Sequence, residues 1–234
     1  MKYSNKTWRA CALCMLAALA MTTGCQNKPA ETADSTNAAT DSVVAESPLD
    51  NAVVRAIMDR RSVRKYKPEP VPKEMLDVIL HCGINAPNAM NEQRWEVRVT
   101  ESKAFIDGVT KVFIESAKDD ERVQKMVEDP DFRNMFRNAP TVIFVAGKAD
   151  EKSSPIDCGL LGENIMLAAQ SMGLGTCCLG SAAGFLNSNP GAANYLKQLA
   201  FSDGYELLYA IAIGYPDESP EAKPRDASKI RYIE

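Results

Sequence analysis

The chain has 234 residues, 45% of them hydrophobic and 25% charged, a mixture that describes a soluble globular protein and excludes fibrous or collagen-like architectures. It is long enough for one substantial core and, once non-globular ends are set aside, too short for two ordinary ones. The formal net charge is −4, which argues against a nonspecific affinity for nucleic acid or anionic lipid.

In chain order, Lys2, Lys6 and Arg9 precede an uncharged apolar run from Ala10 to Met21, followed by Thr22-Thr23-Gly24-Cys25. This is the pattern of an export signal. Such a run reaches only about 18 Å against a hydrocarbon core of ~30 Å, so it is not expected to persist as a spanning helix. Small residues directly before Cys25 resemble a bacterial lipobox, with Thr22 where Leu is usual. That resemblance implies a signal peptide over residues 1–24, Cys25 as the lipidated first residue of the mature chain, and export to the cell envelope with a lipid anchor in a bacterial membrane. Residues 25–47 are rich in Ala, Thr, Ser, Asp and Glu without apolar periodicity. They read as a flexible tether spanning roughly 25 Å root-mean-square. Removing Lys2, Lys6 and Arg9 leaves 24 Lys and Arg against 31 Asp and Glu, a formal charge of −7.

Residues 48–234 form the expected domain. Leu49 to Arg60 reads as a helix with Val53, Val54, Ile57 and Met58 on one stripe, running into the basic cluster Arg60-Arg61-Ser62-Val63-Arg64-Lys65. Pro72 at a first helical position, Leu76, Ile79 and Leu80 on one face and Gly83 as terminator mark a second helix. A loop follows, Asn85 to Arg94. Trp95 to Thr100 alternates as a half-buried strand does, whereas Thr141 to Ala146 is continuously apolar, as a central strand is. Ser102 to Lys118 is expected to be helical, and residues 119–139 are charged, with Phe132 and Phe136 at helical spacing. Ile156 to Met172 is a largely apolar helix ended by Gly173. Thr176 to Leu179 and Tyr205 to Ile213 read as strands, ahead of a Pro- and charge-rich tail. Alternation of helix and strand gives an α+β or α/β class.

The single histidine, His81, excludes a Ser-His-Asp triad elsewhere and any His-rich metal site. Lying four residues after Asp77, it reads as half of a surface ion pair. Cys11 and Cys14 go with the signal, and Cys82, Cys158, Cys177 and Cys178 are expected as buried thiols, too scattered for a disulfide framework. With no P-loop and no G-x-G-x-x-G after a strand, reactivity falls to a cofactor. Arg60, Arg61 and Arg64 with Ser62 between them suit a phosphate monoester, the competing reading being a solvated basic patch.

Taken with Ala86 to Trp95 (APNAMNEQRW), Gly173 to Leu179, and Gly214-Tyr215-Pro216 through Lys223-Pro224-Arg225, this cluster resembles the nitroreductase family of flavoenzymes. That family has R-R-S-x-R early, A-P-S-x-x-N-x-Q-P-W next, a G-L-G-T-C-W-like strand late and G-Y-P…K-P-R near the end. The resemblance implies an α+β, nitroreductase-like fold: a central, mostly antiparallel sheet flanked by helices, in an interlocked homodimer with FMN at the interface. It implies that Arg60, Arg61, Ser62 and Arg64, with Lys223 and Arg225, grip the phosphate. Pro87, Asn88, Asn91 and Gln93 would line the ring, and Cys178, Leu179 and Gly180 would face its other part through backbone. Here Asn88 replaces the usual Ser, and Arg94 replaces the usual Pro, which should leave the loop less rigid.

The implied activity is ping-pong hydride transfer from NADH or NADPH to a small electron-poor acceptor such as a nitroaromatic or quinone, with no side chain required as general acid and no nucleic-acid partner. Phe132 and Phe136 would cover the acceptor or act as core anchors. The alternatives are a reductive dehalogenase of the same fold, against which stands the absence of Tyr from residues 101–139, and a non-catalytic flavin-binding lipoprotein.

Overall fold

The computed structural model describes Pro48 and residues 50–233. The signal peptide, Cys25 and the tether lie outside the described residues, as does Leu49. The first helix, α1 (Ala52–Asp59), begins where Asn51 accepts hydrogen bonds from the Val53 and Val54 amides. It buries no residue, and its stripe of Val53, Val54, Ile57 and Met58 is exposed. The second, α2 (Lys73–Ile84), has Pro72 at its N-cap, one position earlier than expected. Gly83 lies inside α2 and is buried against α5 (Ser154–Ser171). A Cβ there would come within 2.6 Å of Ile165 Cγ1, so Gly83 permits close helix packing and does not end the helix.

Strand β1 (Trp95–Thr100) leads to α3 (Lys103–Ser116), capped by Ser102, and then to α4 (Glu121–Glu128). The expected helical placement of Phe132 and Phe136 is not realised, because residues 129–140 are turns and irregular chain. Strand β2 (Thr141–Lys148) and α5 follow, then β3 (Gly175–Leu179), α6 (Gly180–Ser188), α7 (Ala193–Gln198) and β4 (Tyr205–Gly214). Gly173 does end α5, with φ +76 and the Leu174 amide turned back to Ala169 O at 2.9 Å, the left-handed exit that glycine permits.

The four strands run in the order β1-β2-β4-β3, every neighbouring pair antiparallel. The fold is therefore α+β, with an antiparallel sheet flanked by helices as expected. Both central strands are covered on both faces. From β2, Val142 and Phe144 join Phe105, Val109, Phe136 and Leu186 on one side, while Ile143 and Val145 join Ile79, Leu161, Ile165 and Trp95 on the other. Ala212 and Ile211 of β4 divide in the same way. Two cores explain why β2 reads as an unbroken apolar run. Phe136 sits wholly buried, edge to face with Phe144 at 5.8 Å; it is a core anchor.

Gly175 is where the chain after α1 crosses β3, and a Cβ on it would meet Val63 Cβ, Cγ2 and Cγ1 at 2.8, 2.8 and 2.9 Å. Val63 is buried and β-branched, with little rotamer freedom to yield. Gly175→Ala should therefore destabilise the fold by about 1–3 kcal/mol, seen as a lower denaturation midpoint at unchanged slope.

Candidate functional site

The chain leaves α1 at Arg60 and becomes extended beside β3. Ser62 bridges Thr176 in parallel, and the Val63 amide donates to Thr176 O at 3.0 Å. Buried Tyr66 ends the segment, its hydroxyl 2.6 Å from Val63 O and 3.3 Å from Ala212 O. Burial pushes that phenol far above its ordinary range, so it remains a neutral donor. On the far side Lys67 N donates to Tyr215 O and Asp217 N to Lys65 O, both at 2.9 Å. A segment satisfied on both edges cannot drift from the sheet.

Arg60 and Arg64 are thereby set near Cys177, whereas Arg61 lines a different cavity from Arg64. Arg60 Nε lies 3.5 Å from Glu163 Oε1 of α5, yet this buried nitrogen has no hydrogen-bond partner, and neither does the buried Thr176 Oγ1 on the facing strand. Arg61 donates to Met58 O and Arg60 O at 2.7 and 2.8 Å. Arg64 donates to Ser62 O at 2.9 Å, while its backbone amide donates to the Glu218 carboxylate. Arg137, in a left-handed conformation with φ 60, also belongs here. Arg64, Arg137 and Arg60 all pull the Cys177 thiol downward, although burial outweighs them and leaves it raised. Arg64 and Arg137 line a cavity of about 360 Å³ with Phe132, Arg133 and Asp217.

Sequence reasoning found Arg60, Arg61, Ser62 and Arg64 but missed Arg137, Glu163 and Glu218, which no motif marks and only the fold brings near. Of the tail, residues up to Ala222 share a cavity of about 320 Å³ with Arg61. Lys223 and Arg225 follow as exposed side chains, Arg225 donating to Lys223 O at 3.3 Å, and neither lines that cavity.

The second constellation is the loop between α2 and β1. Asn88 Oδ1 accepts from Gln93 N at 2.9 Å and Asn88 Nδ2 donates to Ala86 O at 3.3 Å. Ala89 N donates to both carboxylate oxygens of Asp157, at 3.2 and 3.3 Å. Between these ties Met90, Asn91 and Gln93 have φ of 54, 55 and 52, a conformation costing non-glycine residues roughly 1–3 kcal/mol each and persisting only where surroundings impose it. Pro87, Asn91 and Gln93 are exposed.

Arg94, standing where the proline was expected, is tied on several sides. Its guanidinium pairs with Glu92 and with Glu151 at 3.1 Å and donates to Ser153 Oγ at 3.1 Å, while Ser154 Oγ donates to Arg94 O at 3.0 Å. Ion pairs replace the proline ring as the fastening.

Neither of the two cavities beside the arginines includes Pro87 to Gln93. The helix α5 explains the separation. Asp157 holds the loop and Glu163 lies beside Arg60; six residues along a helix is about 9 Å of rise and roughly 120° of rotation. Within one chain the two groups face different directions. Leu179 caps α6 without a side-chain bond, so the first amides of Gly180 onward are free to donate.

Among the described residues the four cysteines are free thiols, of which Cys158 and Cys177 are buried, Cys82 is half-buried and Cys178 is exposed. His81 makes no ion pair with Asp77. Its Nδ1 lies 2.7 Å from the Asp77 carbonyl, and the Asp77 carboxylate takes Lys73 at 2.8 Å. This is a helix surface, with no chemistry converging on it.

Comparison with known proteins follows this geometry. The sequence model of the nitroreductase family matches residues 57–215. The NADPH-flavin oxidoreductase of Vibrio harveyi is 30% identical over 75% of this chain and 70% of its own length, and the FMN reductase [NAD(P)H] of Bacillus subtilis 28% identical over the same shares. The crystal structure of a nitroreductase with bound FMN from Desulfitobacterium hafniense is similar at TM-score 0.70 and 27% identity, covering 79% of this chain and all of that one.

The thiols give a direct check on the electrostatics. Burial pushes Cys158 up to about 11 and raises Cys177, so both are protonated at neutral pH, and only thiolate alkylates. Iodoacetamide at pH 7 should modify the exposed Cys178 and leave Cys158 and Cys177 intact. Peptide mass spectrometry of the alkylated protein checks this selectivity.

Proposed function

The chain belongs to the nitroreductase family and is an FMN-dependent NAD(P)H oxidoreductase; we propose that it works as a homodimer tethered to the cell envelope, passing electrons to a small electron-poor acceptor. The observation that carries the site assignment is the placing of Arg60 and Arg64 near Cys177, with a buried Arg60 Nε that has no hydrogen-bond partner. An orphaned buried donor costs about 1–3 kcal/mol, and a doubly charged phosphate monoester offers what it lacks. The donor set fits FMN.

In this reading Arg60, Arg61, Ser62 and Arg64 hold the phosphate, joined by Lys223 and Arg225 from the tail. Three such charge-assisted bonds contribute about 5–9 kcal/mol, and ring burial adds the rest. The loop residues Pro87, Asn88, Asn91 and Gln93 line the ring, and the backbone of Cys178, Leu179 and Gly180 offers amide donors to its polar edge. Bound FMN supplies two-electron chemistry, accepting from NADH or NADPH and giving to the acceptor in turn. The protein's own work is orientation, water exclusion and a positive field from Arg64 and Arg137 where negative charge develops.

Two observations support the homodimer. The loop and the arginines point to different sides of α5, so a ligand needing both is better served by one group from each of two copies. The helices α1, α2 and α5 expose apolar side chains, among them Ile57, Met58, Ile84 and Ile156, and exposed Val53 and Val78 line a groove of about 780 Å³ with Leu167 and Ala168, apolar surface that calls for a partner. The lipid anchor rests on the leader and Cys25 alone. Among the described residues no helix is long and apolar enough to cross a membrane.

The purified protein should be yellow, and stopped-flow mixing with NADH or NADPH should bleach it; colour that never bleaches would make it a flavin carrier. Arg60→Ala with Arg225→Ala should release the flavin while leaving the denaturation midpoint of the flavin-free protein close to wild type; retained colour would place the phosphate elsewhere. In a bacterial host Cys25→Ser should move the protein from the membrane pellet to the soluble fraction.

A further inference from the structure

We propose that Asp157 is the positioning residue of the ring-lining loop, setting through one hydrogen-bonded amide the conformation in which Asn88 to Gln93 meet the cofactor. The inference rests on the cofactor site assigned above and adds a residue that no motif marks. Asp157 is 4% exposed, in the first turn of α5, and no basic side chain among the described residues forms an ion pair with it. Its charge is accommodated by the helix N-terminus, where carboxylates are favoured, and by the Ala89 amide, which both oxygens approach.

That amide is the first of the short turn Ala89–Asn91, immediately after Asn88. Fixing it fixes the direction in which Asn88 leaves the extended backbone, φ −150 and ψ 157. The Asn88 side chain then closes the loop onto Gln93 N. The three left-handed residues lie inside this closure. With the carboxylate removed, nothing on α5 holds Ala89, and the left-handed residues are free to relax toward ordinary angles, carrying Asn88 and Gln93 out of register with the ring. Asp157 touches no reacting atom; it acts through Ala89.

Both ends of the bond can be cut separately. Asp157→Ala removes the acceptor. Ala89→Pro removes the donor without touching α5, and the position tolerates it, being the first of a helical turn with an extended residue before it. Each variant should lose about tenfold or more in FMN affinity, as expected for one charge-assisted bond. Each should also shift the visible absorption of bound FMN and slow its reduction by NADH or NADPH at saturating flavin. Asp157→Asn keeps one acceptor oxygen and should recover most of the affinity and the wild-type spectrum. In the Asp157→Ala/Ala89→Pro pair the second change should add little to the first.

Wild-type affinity, spectrum and reduction rate in both single variants would overturn the assignment, as would additive losses in the pair. A lowered unfolding midpoint with an unchanged flavin spectrum would also overturn it, because a purely structural carboxylate behaves so. If Asp157→Ala fails to fold, Ala89→Pro and Asp157→Asn decide alone. A wild-type protein that binds no FMN would instead sink the functional reading beneath this one.

Discussion

The structure depends on the tie between the segment after α1 and β3, which fixes where Arg60, Arg61 and Arg64 stand. Here the segment is stitched to β3 through the Ser62–Thr176 bridge and the Val63 amide, and pinned at its end by the Tyr66 hydroxyl. The central strands, each buried on both faces, provide a base that does not yield. The stability of the two cores is what keeps this basic segment in place between Glu163 and Glu218.

From that base the site is assembled by α5, whose first turn meets the loop before β1 and whose middle meets the exit from α1. The helix is apolar nearly all round because it packs on the sheet on one side and on α2 on the other, leaving Asp157 and Glu163 as its few acidic residues. Each meets a group the function uses. Under the homodimer proposed above, closing the exposed apolar surface on α1, α2 and α5 with a second copy and completing the cofactor site would be one event.

Much of this was legible in the sequence. β1, β2, β3 and β4 fall within a residue or two of where alternation and apolar runs place them, and Gly173 ends α5 as expected. The failures have physical causes. Gly83 reads as a stop because glycine favours left-handed exits, yet here it serves contact with Ile165, a tertiary demand that local pattern does not carry. Phe132 and Phe136 share helical spacing by accident: left-handed Arg137 and Asn138 break the chain there, and only Phe136 reaches the core. The helices α6 and α7 are hidden by Gly, Ala, Asn and Pro, residues that signal turns when read singly. At the site, motif residues were visible because their chemistry is local, whereas Arg137, Asp157, Glu163 and Glu218 were not, since their partners lie dozens of positions away.

The role of α5 also limits how such a sequence can change over time. One inserted residue between Asp157 and Glu163 would turn everything after it by about 100° and slide it by about 1.5 Å, disengaging one anchor whenever the other stayed seated. The length of that helix is therefore not negotiable. Descendants of this chain cannot recut the rod.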